Sequence, residues 1–151
     1  MEACRTDPHC AGAADLDGTQ YGSVVHTGLA KPMMLIGSQN SCITGTCQPA
    51  GAGDQASRDT AQALLAASTD DAWCHQITGA GHFNFSDHGS YYLAAPMRSQ
   101  VPLGPIDGTQ ALTITNAYLT AFVDHVTQGR PEPLLTGHPP YPKVDVQHTP
   151  S

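Results

Sequence analysis

Residues 10–18 read CAGAADLDG. The small apolar run Ala11–Asp15 leads straight into Leu16-Asp17-Gly18. Small residues without polar alternation suit a short strand buried on both faces, the kind that parallel sheets use. Asp17-Gly18 is a turn signal, so this strand ends with a carboxylate at its C-terminal tip. A second strand is predicted at Pro32–Gly37 (PMMLIG) and a third at Ala72–Thr78 (AWCHQIT). Between them Ser57–Ser68 reads as a helix, with Ser57 as N-cap and Ala61, Leu64, Leu65 and Ser68 on one side. The clearest helix is Gly108–Gln128. Asp107 and Gln110 have the spacing of a capping box, Ile114, Tyr118, Phe122 and Val126 form a stripe, and Gly129 with Pro131 stops it. Glu2–Arg5 reads as the end of a helix broken by Pro8. Ser38–Gly53 is loop by composition. Residues 130–151 hold six prolines and read as an irregular tail.

Strands separated by helical segments predict an α/β fold, a parallel sheet with helices on its faces. The first two strands need a crossover of about a dozen residues, and Leu16 to Lys31 supplies it. The sequence has 151 residues, the usual size of one domain, which buries roughly 68–70% of its unfolded surface. Three strands make a small sheet for such a chain, so the predicted sheet is incomplete.

Charged residues make up 13% of the sequence, against about 25% in an average domain. Strands buried on both faces carry few charges. The formal charge of −7 argues against nucleic-acid binding, which needs a basic face to displace counterions. No window reaches the ~18 apolar residues of a membrane helix, so integral membrane contact is not expected. The N-terminus, MEACRTDPHC, carries no apolar run of a signal peptide. Five cysteines cannot all pair within one chain. Cys4 and Cys10, and Cys42 and Cys47, are close enough to close small disulfide loops. Free thiols are the alternative, and zinc is disfavoured because the spacings do not form paired knuckles. Short disulfide loops and few lysines point towards an exported protein.

In parallel α/β sheets, functional groups gather in loops after the C-terminal ends of strands. Asp17 ends the first strand, and His82 follows the third in TGAGHFNFSD. An Asp and then a His fit the second and third members of a Ser–Asp–His triad of the α/β-hydrolase order. The imidazole would take and return the nucleophile's proton, and the carboxylate would fix its tautomer and stabilise its charged form. Gly79 and Gly81 permit the tight loop this needs. Simpler readings compete. Asp17 can be a turn former, with Asp15 the rival carboxylate, and a histidine at a surface or in a core needs no function. His82, Asp87 and His88 could form a metal site, but they lack the helical His-x3-His spacing. Gly45–Gly53 lacks the Lys-Ser/Thr of a phosphate loop, so no nucleotide cofactor is expected. Trp73, Phe83, Phe85, Tyr91 and Tyr92 read as core or cleft wall.

The runs CAGAADLDG, KPMMLIGSQ and GAGHFNFSD together resemble the platelet-activating-factor acetylhydrolase family of α/β-hydrolases, over roughly residues 4–126. The resemblance implies that residues 1–129 are the C-terminal portion of an α/β-hydrolase fold, about three parallel strands with flanking helices. It makes Asp17 the triad acid and His82 the base, with no metal or organic cofactor. It implies a serine carboxylic-ester hydrolase acting on a short-acyl phospholipid or a related small ester. The sequence departs from the family at one point: no serine has Gly at both −2 and +2, so the G-x-S-x-G elbow is missing. In the family it lies shortly before the Leu-Asp strand, which places it upstream of Met1, and the chain alone is expected to be inactive. The competing function classes are a non-catalytic α/β binding domain that lost its elbow, and a metal-dependent hydrolase using His82, Asp87 and His88.

Overall fold

The computed structural model describes residues 1–91, 95–136 and 140–149; Tyr92 lies outside them, as do tail residues 137–139 and 150–151. Four strands make one sheet in the order β1-β2-β3-β4: β1 Ala13–Leu16, β2 Met33–Ser38, β3 Ala72–Ile77 and β4 Val144–Thr149. β1, β2 and β3 run parallel, and β4 is antiparallel to β3. The helices are α1 Glu2–Thr6, α2 Val24–Thr27, α3 Ala52–Ala67, α4 Ala95–Arg98, α5 Gly108–Gln128 and α6 Pro133–Thr136. The α/β architecture expected from the sequence is therefore present.

Side-chain alternation divides the central strands between two cores. Met33, Leu35, Ala72 and Cys74 pack with Ala61, Leu64 and Leu65 of α3 and with Val24 and Leu29. Met34, Ile36, Trp73 and Ile77 pack with Ile114, Tyr118 and Phe122 of α5. Every residue of β2 and β3 is buried, which explains the unbroken apolar run of Met33–Ile36 and the lack of a polar face on β3, where His75 and Gln76 are buried too. Fully burying one such large side chain stabilises by about 1.5–3 kcal/mol. The α5 stripe faces the sheet as its spacing predicts. Asp107 accepts a hydrogen bond from the Gln110 amide at 2.9 Å, and Gly129 closes the helix at φ +65°.

The structure corrects two expectations. First, α3 begins at Ala52, not Ser57, so part of the composition-defined loop is helical. Asp54 in its first turn complements the helix dipole, and the Ser57 hydroxyl instead meets that of Thr19 at 3.1 Å. Second, the tail is not irregular throughout: it holds α6 and a fourth strand, β4. Val144 and Val146 join the α5-side core. On the other face Asp145 accepts from Thr46 at 3.3 Å and Gln147 from Gln62 at 3.3 Å. Prolines on either side obscured this short alternation.

Both short cysteine spacings are closed, as Cys4–Cys10 and Cys42–Cys47. Cys74 is free and buried, and burial pushes its thiol up to about 12. Near the N-terminus the Glu2 carboxylate accepts from the Val24 amide at 2.7 Å and the Ser23 hydroxyl at 2.9 Å. Those bonds, with Arg5, hold Glu2 down at about 2 and tie α1 to α2.

Candidate active site

Asp17 is the first residue beyond β1. Its backbone turns into the left-handed region at φ +53°, which Asp tolerates better than most residues. Its amide donates to the Ile36 carbonyl at 2.7 Å. The turn breaks strand alternation, so Asp15 and Asp17 part company. Asp15 caps the turn by accepting from the Gly18 amide at 2.8 Å. Asp17 accepts instead from two later groups: the Ser38 amide at the end of β2, at 2.6 Å, and His82 Nδ1 beyond β3, at 3.0 Å. The two candidate residues, 65 positions apart, are thus brought together.

A carboxylate can only accept, so Nδ1 is the protonated nitrogen and Nε2 of the neutral ring keeps its lone pair. The Asp17 side chain is 9% exposed and the His82 side chain 58%. The acid is shielded, and the base is open to a reactant. The ring also stands edge-on to Phe83, with centroids 5.4 Å apart.

Four features build the loop that carries His82. Gly79 turns it at φ +84°. The side chain of Asn84, 1% exposed, accepts from the Gly81 amide at 2.8 Å and the Gly104 amide at 2.7 Å. Segment 102–106 packs so closely on the turn that a Cβ on Gly104 would stand 2.0 Å from the Gly79 carbonyl oxygen. On the β2 side, the Gln39 side chain accepts from the Gly79 amide at 2.7 Å. The sequence reading missed Ser38, Gln39 and Asn84. Asn84 lies inside the quoted HFNFSD run, but nothing in the run says that it holds backbone amides.

A cleft of about 430 Å³ opens beside the couple, lined among others by Asp17, Ser38, Asn40, His82, Leu103 and Pro105. That volume suits a small organic ligand. The other sequence candidates are engaged elsewhere. His88 Nδ1 meets the Ser86 hydroxyl at 2.8 Å, and Asp87 accepts from the Tyr91 hydroxyl at 3.0 Å. His75 is fully buried with its ring centroid 4.2 Å from that of Tyr118. Among the described residues no group of three His, Cys, Asp or Glu side chains is placed to hold a metal ion. Nor is any helix there long and apolar enough to cross a membrane.

No family model and no curated protein matches the chain. Among solved structures, a ferulic acid esterase from Streptomyces cinnamoneus has a similar fold, with a TM-score of 0.77 and 24% sequence identity. The match covers 97% of this chain and 42% of that one, so the chain spans less than half the length of its structural neighbour. The four-stranded sheet and its flanking helices are thus similar to part of an esterase-type hydrolase fold.

Proposed function

We propose that this chain supplies the acid and the base of a serine carboxylic-ester hydrolase. The observation that carries the reading is the bond between Asp17 and His82 Nδ1, made at the C-terminal ends of parallel strands beside a cleft. In this reading Nε2 of His82 takes the proton of an attacking serine hydroxyl, and the serine oxygen bonds to the ester carbonyl carbon. Collapse of the tetrahedral intermediate expels the alcohol, which receives that proton from His82. Water then attacks the acyl-enzyme with the same base, releasing the acid and restoring the serine. Asp17 holds the ring and stabilises the imidazolium formed in each half-reaction.

No serine here stands in a G-x-S-x-G sequence, so the nucleophile comes from residues outside these 151. The resemblance to platelet-activating-factor acetylhydrolases favours a short acyl group, including the acetyl ester of a phospholipid. The structural neighbour, a ferulic acid esterase, makes an aromatic ester the rival substrate. The two disulfides favour an oxidising, extracytoplasmic location.

The isolated chain should give no burst of p-nitrophenol from the acetate ester and take up no fluorophosphonate label. With an elbow-bearing segment supplied, p-nitrophenyl acetate should be hydrolysed faster than methyl ferulate. Asp17→Asn should then lower kcat by about 10⁴, and His82→Ala by about 10⁶. Stoichiometric labelling of the isolated chain, or near-normal turnover by either variant, would overturn the assignment.

A further inference from the structure

Ser38 and Gln39 are neighbours at the end of β2, and between them they hold Asp17 and the turn that leads into His82. The Ser38 amide holds the Asp17 carboxylate at 2.6 Å. Gln39 holds the turn that leads into His82. Its amide donates to the Ala80 carbonyl at 2.9 Å, and its side-chain oxygen accepts from the Gly79 amide at 2.7 Å. Gln39 is itself anchored, because its carbonyl accepts from the Gln76 side chain on β3 at 3.2 Å. The same Gln76 amide group lies 3.3 Å from the sulfur of Cys47, which is joined to Cys42 just beyond Gln39.

The His82 side chain is 58% exposed, so packing around the ring does little to fix it. Its placement is inherited from the backbone of residues 79–81. Two of those three residues are glycines, which have the widest backbone freedom. Segment 102–106 braces this turn from one side, with the Ile106 amide donating to the Gly79 carbonyl at 3.0 Å. Gln39 braces it from the side on which Asp17 lies.

We propose that Gln39 is a positioning residue: its clasp on the Gly79–Ala80 turn keeps the His82 ring on the Asp17 carboxylate. The proposal deepens the hydrolase reading and rests on Asp17 and His82 being its catalytic couple. The test uses the 151-residue chain, labelled with ¹⁵N in its histidine rings, at a pH where the rings are neutral. The ring ¹⁵N shifts report which nitrogen of His82 carries the proton. The unsubstituted chain should show the Nδ1–H form. Gln39→Ala and the isosteric Gln39→Met should both revert largely to the Nε2–H form that free imidazole prefers. Gln39→Glu keeps an acceptor for the Gly79 amide and should restore Nδ1–H. Melting temperature, measured in parallel, identifies the folded variants; a loss of general stability alone leaves the tautomer unchanged. With an elbow-bearing segment supplied, Gln39→Met should lower kcat about 10–100-fold with KM little altered, the scale of a misplaced catalytic group. Retention of Nδ1–H in folded Gln39→Met, or failure of Gln39→Glu to restore it, overturns the proposal and leaves the hydrolase reading standing. Retention of Nδ1–H in Asp17→Ala, which leaves no acceptor at that position, overturns the couple, and both readings with it.

Discussion

At the scale of single residues, the site depends on acceptors that hold backbone amides. Asn84 is the clearest, since its one oxygen serves the amides of Gly81 and Gly104. Replacing it with Ala leaves both donors without that partner in a nearly dry place. Each unsatisfied donor costs about 1–3 kcal/mol. Asn84→Ala should therefore lower stability by at least about 1 kcal/mol, read as a lower urea midpoint, and a midpoint equal to that of the parent chain refutes this role. Asp17 and His82 were legible as a candidate pair because each follows a strand end with a local mark, Asp-Gly and Gly-x-Gly-His, and the two side chains do meet at 3.0 Å. Ser38, Gln39 and Asn84 were not legible. What they do is set by which loops meet, and no spacing within the chain records that.

Individual elements were legible where hydrophobic pattern and punctuation agree. β2 and β3 are buried at every position and mostly apolar because both faces are covered, and α5 has a cap, a stripe and a stop. The start of α3 was hidden because Gly51 and Gly53 read as loop and no side chain caps the helix. β4 was hidden by the prolines around it. Yet β4 is the element that covers the outer edge of β3, pairing from Ala72↔Thr149 to Ile77↔Val144. An uncovered edge strand templates pairing with other chains. Deleting residues 137–151 should lower stability by about 2 kcal/mol or more, from the lost burial of Val144 alone. It should also produce self-association visible by sedimentation. A truncated chain that stays monomeric and equally stable would contradict this role for β4.

For the whole molecule, two buried acids sit on opposite faces of the sheet. Burial moves the Cys74 thiol from 9.0 to about 12. Burial, with Tyr141 nearby, moves the Tyr118 phenol from 10.0 to about 12. Between pH 9 and 12 the unfolded chain releases these protons while the folded chain keeps them. The folded state then binds more protons, so stability falls as pH rises. The urea midpoint should be lower at pH 10.5 than at pH 8, and Cys74→Ala should make the drop smaller. An alkaline profile that Cys74→Ala leaves unchanged would show that the thiol contributes nothing to it.

The sheet is also asymmetric. β4 closes one side, whereas among the described residues β1 pairs with β2 alone. The bond between Asp17 and His82 needs only the loops after β1, β2 and β3, all on this side of that free edge. The contact between Asp17 and His82 is therefore made without a partner strand on β1. If a nucleophile-bearing strand pairs there, it meets a base already in register. The onset of activity should then follow second-order docking kinetics, with no slower unimolecular phase for arming the site.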